Sequence, residues 1–219
     1  FMDAYDPATV FSSIDRHGRY AYGNQPTIAQ WNLARFAETL LPLIDVEEKR
    51  AVELATESLR DFERRYREHW LDGMRRKLGL FGTEADDVSL IESLLEWMQK
   101  TKADYTNTFA DLTRELPSEC AQRDDVEFMQ WHARWRKRLA RQRESAEESD
   151  RLRRVNCPAF IPRNQRVEEA LAMAERGDLS VMERLLDVLG RPFDHEREAP
   201  EYRQPAGEAG AGYRTFCGT

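Results

Sequence analysis

The stretch that decides the fold is Phe1–Ile44, FMDAYDPATVFSSIDRHGRYAYGNQPTIAQWNLARFAETLLPLI. Its first half is aromatic and irregular, with Phe1, Tyr5, Phe11, Tyr20 and Tyr22 set among turn signals at Asp6-Pro7, His17-Gly18 and Gly23-Asn24. A short strand pair, Val10–Ser12 with Arg19–Tyr22, is a candidate within it. The second half changes period. Pro26-Thr27 opens a helix, because proline has no N–H to lose at a helix start and threonine can cap. Ile28, Trp31, Leu33, Ala34, Ala37, Leu40 and Leu41 then fall near a three-and-four spacing, and Pro42 is expected to end the run. Chain termini are usually polar and loosely held. An apolar, aromatic start predicts either that something upstream has been removed or that the run packs into the body of the fold.

Outward from this stretch the pattern stays helical. Asp45 is expected to open a second helix carrying Val52, Leu59, Phe62, Tyr66, His69 and Trp70, with a pause at Asp72-Gly73 and a stop at Gly79. Asp86 or Asp87 caps a third, Asp104 a fourth that ends at Pro117, and Asp124-Asp125 opens a fifth bearing Phe128, Trp131 and Trp135. Arg136 to Arg154 is nearly all charge and reads as an exposed helix or connector. Asn164 caps one more helix and Asp178 or Ser180 the last, closed by Gly190. The expected architecture is therefore all-α and bundle-like. It comprises an irregular arm over residues 1–26, a helical domain over 27–190, and an extended or partly disordered tail over 191–219.

Composition narrows the function. With 41% hydrophobic and 33% charged residues, the 219-residue chain suits a helical domain with long charged faces. A net charge of -7 argues against a sequence-independent grip on nucleic acid. No apolar run reaches the ~18 residues of a membrane span. The three cysteines, Cys120, Cys157 and Cys217, form no C-x-x-C pair, which points to a reducing, cytoplasmic setting rather than a disulfide framework or zinc site. His17, His69, His132 and His195 have no metal-ligand spacing. His69 lies on an apolar stripe and is expected to be a satisfied, partly buried side chain. Asp3, Asp6 and Asp15 sit in an aromatic loop where Mg²⁺ could bind, but turn capping explains them better. Trp131 and Trp135 lie four apart on one helix face with Phe128, which favours core packing over base stacking. No phosphate-cradling glycine motif occurs.

The segments FMDAYDP, S-x-x-D-x-x-G-R-Y-A-Y-x-N-Q-P and I-A-x-W-N-L-A-R resemble the selenoprotein O family of kinase-fold pseudokinases that act as protein adenylyltransferases. Weaker matches follow in the family's order: Met74-Arg-Arg-Lys-Leu-Gly-Leu80, Ala103-Asp-Tyr-Thr106, Phe160-Ile-Pro-Arg-Asn164 and Cys217-Gly218-Thr219. The resemblance implies that the first block directly follows the counterpart of the kinase metal-binding motif. It also implies that the family's nucleotide lysine, general base and metal ligands lie upstream of residue 1. The chain would then be the C-terminal part of such an enzyme, comprising the helical part of a kinase-like C-lobe and a C-terminal extension. It would hold no catalytic, cofactor or metal residue of its own, and it would be inactive alone. ATP and Mg²⁺ are implied for the intact parent, with protein substrates and the missing N-terminal part as partners. Asp15, Arg19, Asn24 and Gln25 would position the loop after the metal motif. Cys217 matches a family cysteine or selenocysteine and is a candidate redox residue. Its partner position in some bacterial members is Phe11 here, which counts against an intramolecular redox latch. The alternative is a free-standing helical interaction module using faces around Trp70 or Trp131.

Overall fold

A computed structural model describes residues 2–113 and 125–207. They fall into two compact units, one made of residues 2–6, 73–113 and 125–207, the other of residues 7–72. Among the described residues the regular structure is helical, and the one extended pairing is an isolated antiparallel bridge between Ala4 and Asp104. The expected all-α class is what the chain adopts. The strand pair at Val10–Ser12 and Arg19–Tyr22 does not form. Asp15 draws the Arg19 and Tyr20 amides to its carboxylate, so this segment turns instead of extending.

In the unit 7–72, helix α1 (Gln25–Ile44) runs past Pro42 rather than stopping there. Only two residues follow the proline, so it removes one hydrogen bond from a turn that is already ending. Asp45 then leaves the helical region (φ -153°), and its Oδ1 accepts from the Glu47 N–H at 2.9 Å, leading into α2 (Glu48–Arg60). Helix α3 (Phe62–Lys77) follows after a break at Asp61, not at Asp72-Gly73. Asp61 is held there by Arg64, which also reaches Glu68. α1 packs against α2, yet no α1 residue is fully buried. Phe36 is 58% exposed and Leu43 82%. His69 is exposed rather than part-buried, because the α3 stripe it sits on is not covered.

The other unit has a dense core. Helix α4 (Asp87–Thr101) packs on α6 (Val126–Leu139), burying Leu90, Ile91, Leu94, Trp97 and Met98 against Phe128, Trp131 and Trp135. Trp131 and Trp135 stack with ring centres 5.8 Å apart. Each buried indole N–H has an acceptor: Trp97 finds Asp125, Trp131 the Leu90 carbonyl and Trp135 the Leu78 carbonyl. That pairing is what lets a tryptophan be buried without a desolvation penalty. Asp104 caps α5 (Tyr105–Asp111) and Asp125 caps α6, each accepting the N–H three residues on. Ser145 and Glu148 form a capping box on α7 (Ala146–Asn156). α8 (Asn164–Glu175) and α9 (Ser180–Leu189) pack together, and Ala159, Phe160, Val188 and Ala199 form a smaller core nearby.

The charged run 136–154 is not a uniformly solvated face. Arg138, Ser149 and Arg153 are buried. Arg138 Nε donates to Asp87 Oδ1 at 2.8 Å, and Arg75 Nε donates to Asp87 Oδ2 at 2.7 Å. Asp87 is fully buried and also accepts from the Glu84 N–H. Burial works to raise its carboxyl, but the hydrogen bonds from Arg138, Glu84 and Arg75 outweigh burial and hold it below the ordinary carboxylate range. Gly79 (φ 69°) lets this region close up, since a Cβ there would sit 2.6 Å from Arg153 Nη1.

Asp87→Asn should destabilise this unit by about 3 kcal/mol at pH 7, because two guanidiniums lose their counter-charge. The native carboxyl pKa is depressed, so its stabilisation is full above the unfolded value of roughly 4 and fades as pH falls through the native one. Urea titrations followed by tryptophan fluorescence should therefore show a mutant penalty that shrinks in acid.

Candidate functional site

The arm is divided between the two units, residues 2–6 belonging with one and residues from Pro7 onward with the other. In the latter, Asp15 accepts from the Arg19 and Tyr20 amides, each at 2.8 Å. Asn24 Nδ2 donates to the Gly18 carbonyl at 2.8 Å, and Gly18 itself sits at φ 65°. The Arg19 guanidinium lies over the Trp31 ring, 4.7 Å from its centre, and within 5.7 Å of the Tyr20 ring. Gln25 is exposed and starts α1, its N–H donating to the Tyr22 carbonyl. The four residues read from sequence thus fall in one loop. Asp15, Arg19 and Asn24 act on that loop through their side chains, and Gln25 through its backbone. The loop closes with the Gly23 N–H donating to the Pro7 carbonyl at 2.8 Å, an approach that would crowd a Cβ at Gly23 to 3.1 Å from Pro7.

Residues 2–6 are held differently. The Tyr5 N–H donates to the Ala103 carbonyl and the Tyr105 N–H to the Asp3 carbonyl, both at 2.9 Å. Tyr5 is buried and stacks on Tyr105 with ring centres 5.6 Å apart. Lys102 adopts the left-handed conformation (φ 55°) and turns the chain out of α4 so that Ala103 and Asp104 can meet the arm. Arg163, 1% exposed, lies at the centre of this arrangement. Its Nη1 donates to Asp3 Oδ1 and to Asp104 Oδ2, each at 2.5 Å, and its Nη2 donates to Asp104 Oδ1 and to the Arg203 carbonyl. Burial opposes the charge on Arg163, but the Asp104 and Asp3 carboxylates outweigh it and keep the guanidinium ionised. Asp3 Oδ2 is taken by the Ala206 N–H at 3.0 Å.

Both carboxylate oxygens of Asp3 are engaged by N–H donors, as are both of Asp15. No group of three His, Cys, Asp or Glu side chains among the described residues is arranged to hold a metal ion. Cys217 and Cys120 lie outside the described residues. Cys157 is a buried free thiol whose Sγ donates to the Lys77 carbonyl, and burial pushes it up to about 11. His195, unremarkable in sequence, is buried, with Nδ1 3.4 Å from Thr113 Oγ1 and Nε2 2.9 Å from the Cys157 carbonyl. Trp131 is 3% exposed, so it offers no interaction face, which removes that half of the free-standing-module alternative. Sequence reading missed Arg163 as the hub of the arm. The signal that was available is its place in Phe160-Ile-Pro-Arg-Asn164, directly before a helix, where a capping acid or hydroxyl residue would be usual.

Among the described residues the fold is all-α, with residues 2–6 held in one unit and the Asp15 loop in the other. Residues 1–190 match the family described as "Protein adenylyltransferase SelO". The chain is 56% identical over 220 aligned positions to a protein nucleotidyltransferase YdiU of Alkaliphilus metalliredigens. It is 53% identical to the protein of the same name from Halalkalibacterium halodurans and 54% to that from Syntrophotalea carbinolica. In each case the whole of this chain is covered, but only 45% of the relative. The chain belongs to the SelO family of protein adenylyltransferases, and it spans a little under half the length of these relatives. No helix among the described residues is long and apolar enough to cross a membrane.

Replacing Asp15 with Ala should release the loop locally. Amide hydrogen exchange at Arg19 and Tyr20 should accelerate about tenfold, for loss of roughly 1–2 kcal/mol of charge-assisted bonding, while the α4–α6 core amides keep their protection.

Proposed function

We propose that this chain is the C-terminal part of a protein adenylyltransferase, a pseudokinase-fold enzyme that binds ATP with Mg²⁺ and transfers AMP to a Ser, Thr or Tyr hydroxyl of another protein. The observation that carries the proposal is the match of the whole chain, at 50% identity or more, to proteins named as nucleotidyltransferases that are more than twice as long. In the proposed reaction the substrate hydroxyl oxygen bonds to the α-phosphorus of ATP. The bond from that phosphorus to the bridging oxygen breaks, pyrophosphate leaves, and the hydroxyl proton passes to a base in the rest of the parent. ATP and Mg²⁺ are assigned to the rest of the parent as well.

The role of these residues is to hold the arm still, since phosphoryl-transfer chemistry depends on positioning. Asp15, Arg19, Asn24 and Gln25 are its positioning residues, and Cys217 its candidate redox residue. The bare apolar side chains of α1 support the same reading. Leu33, Phe36 and Leu43 are exposed along one helix, more apolar surface than a finished domain leaves in a row. The rest of the parent covers them.

With ATP labelled at the α-phosphate, the full-length protein should label a generic protein substrate on hydroxyl side chains. The 219-residue chain alone should transfer no label. Robust transfer by the isolated chain would show that it carries a reaction centre of its own.

A further inference from the structure

Four segments far apart in sequence meet at the Arg163 guanidinium: Asp3, Asp104, the 203–206 stretch and the start of α8. Asp104 serves three partners at once. Its Oδ1 caps α5 at the Asn107 N–H, both of its oxygens accept from Arg163, and its backbone pairs with Ala4. Arg203, whose carbonyl accepts from Arg163 and from Asn107 Nδ2, is itself tied through its own guanidinium to Asp111 at 2.6 Å. One cation therefore faces two carboxylates.

This is a costly way to obtain stability. Burying a guanidinium with two acids incurs desolvation that an apolar side chain avoids, and replacing such a cluster with apolar residues is often neutral or stabilising. The backbone bonds of Asp3 and Tyr5 and the Tyr5–Tyr105 stack already attach the arm. What the charged cluster adds is register. A one-residue slip would move Asp3 out of reach of the fixed Nη1, stranding Asp104's partner and the Ala206 amide together.

We infer that Arg163 and Asp104 are positioning residues for the reaction. Through Asp3 they set the register of residues 2–6, and with it the placement of whatever the parent joins to that end of the arm. This rests on the function proposed above.

The test uses the full-length protein. Asp3→Ala removes the register contact and loosens the arm, yet leaves the two-pronged Arg163–Asp104 pair intact, so the fold is kept. Asp3→Asn retains an oxygen for Arg163. In Asp3→Ala, exchange at the Tyr5 and Tyr105 amides should rise at least about tenfold with α6 amides unchanged, and kcat for AMP transfer should fall about tenfold. KM for ATP should stay within about twofold, because the interaction lost acts on placement rather than on nucleotide binding. Asp3→Asn should recover most of both effects. Arg163→Met, which leaves two facing carboxylates unpaired, should be worse than Asp3→Ala in both readouts. A wild-type protein that transfers no AMP overturns the proposed function and this inference with it. If wild-type transfers AMP and Asp3→Ala loosens the arm with kcat unmoved, or leaves exchange at Tyr5 and Tyr105 unmoved, the inference alone is overturned.

Discussion

A buried guanidinium keeps its charge only where acids face it, and this chain brings acids from a distance to two of its own. Arg163 and Arg138 are the two largest fully buried side chains among the described residues. Arg138 is bonded to Asp87, Glu84 and the Phe81 carbonyl, and the two terminal nitrogens of Arg163 to Asp3, Asp104 and the Arg203 carbonyl, while Arg163 Nε is left without a partner. Such clusters are poor sources of net stability but strict selectors of geometry, since any displacement leaves a charge unpaired at low dielectric. Arg138 fixes the loop before α4 against the end of α6. Arg163 fixes the arm against the α4–α5 turn and the stretch at 203–206. The apolar core between α4 and α6 supplies the bulk of the burial, and the two arginines set where loops and arm attach to it.

The two units carry different physics. The unit containing α4–α9 has buried tryptophans with paired indoles, capped helices and internal ion pairs. In residues 7–72 the buried apolar side chains are Ala21 and Ala51, and α1 leaves its large side chains in water. The hydrophobic effect gives α1 little reason to stay put by itself, at roughly 25 cal/mol for each Å² left unburied. Its conformation is instead secured locally, by Asp15 and Asn24 in the loop before it and by Asp45 after it. A helix half-buried on α2 that still leaves Leu33, Phe36 and Leu43 exposed fits a part with a further packing partner elsewhere in a longer protein.

Much of this was legible in the sequence wherever the cause is local. Asp104 and Asp125 read as caps because their partners are three residues away, and Phe128, Trp131 and Trp135 read as core because helical spacing puts them on one face. Around Asp15 only the turn acid was legible, since the strand pair expected on either side of it does not form. What stayed hidden depends on long-range partners. Arg138 and Arg153 looked like solvent residues in a charged run, and Asp3 looked like a turn acid, because Asp87 lies 51 positions from Arg138 and Arg163 lies 160 from Asp3. Helix breaks were misplaced: the chain breaks at Asp61 rather than at Asp72-Gly73, and Pro42 lies too near the end of α1 to stop it early. His195 carried no spacing signal at all, since its partners come from α7 and the end of α5.

The claim on which everything else rests is that these residues are one part of a larger nucleotidyltransferase, with α1 facing the remainder. Phe36→Cys tests it directly, since the side chain is 58% exposed in the chain by itself. The rate of its reaction with a small thiol reagent is compared in the 219-residue chain and in the full-length protein, corrected for the native cysteines. Fast labelling in the chain and labelling slowed at least about tenfold in the full-length protein is the expected result. Equal, fast rates in both would show α1 open to water in the complete protein and would contradict the claim.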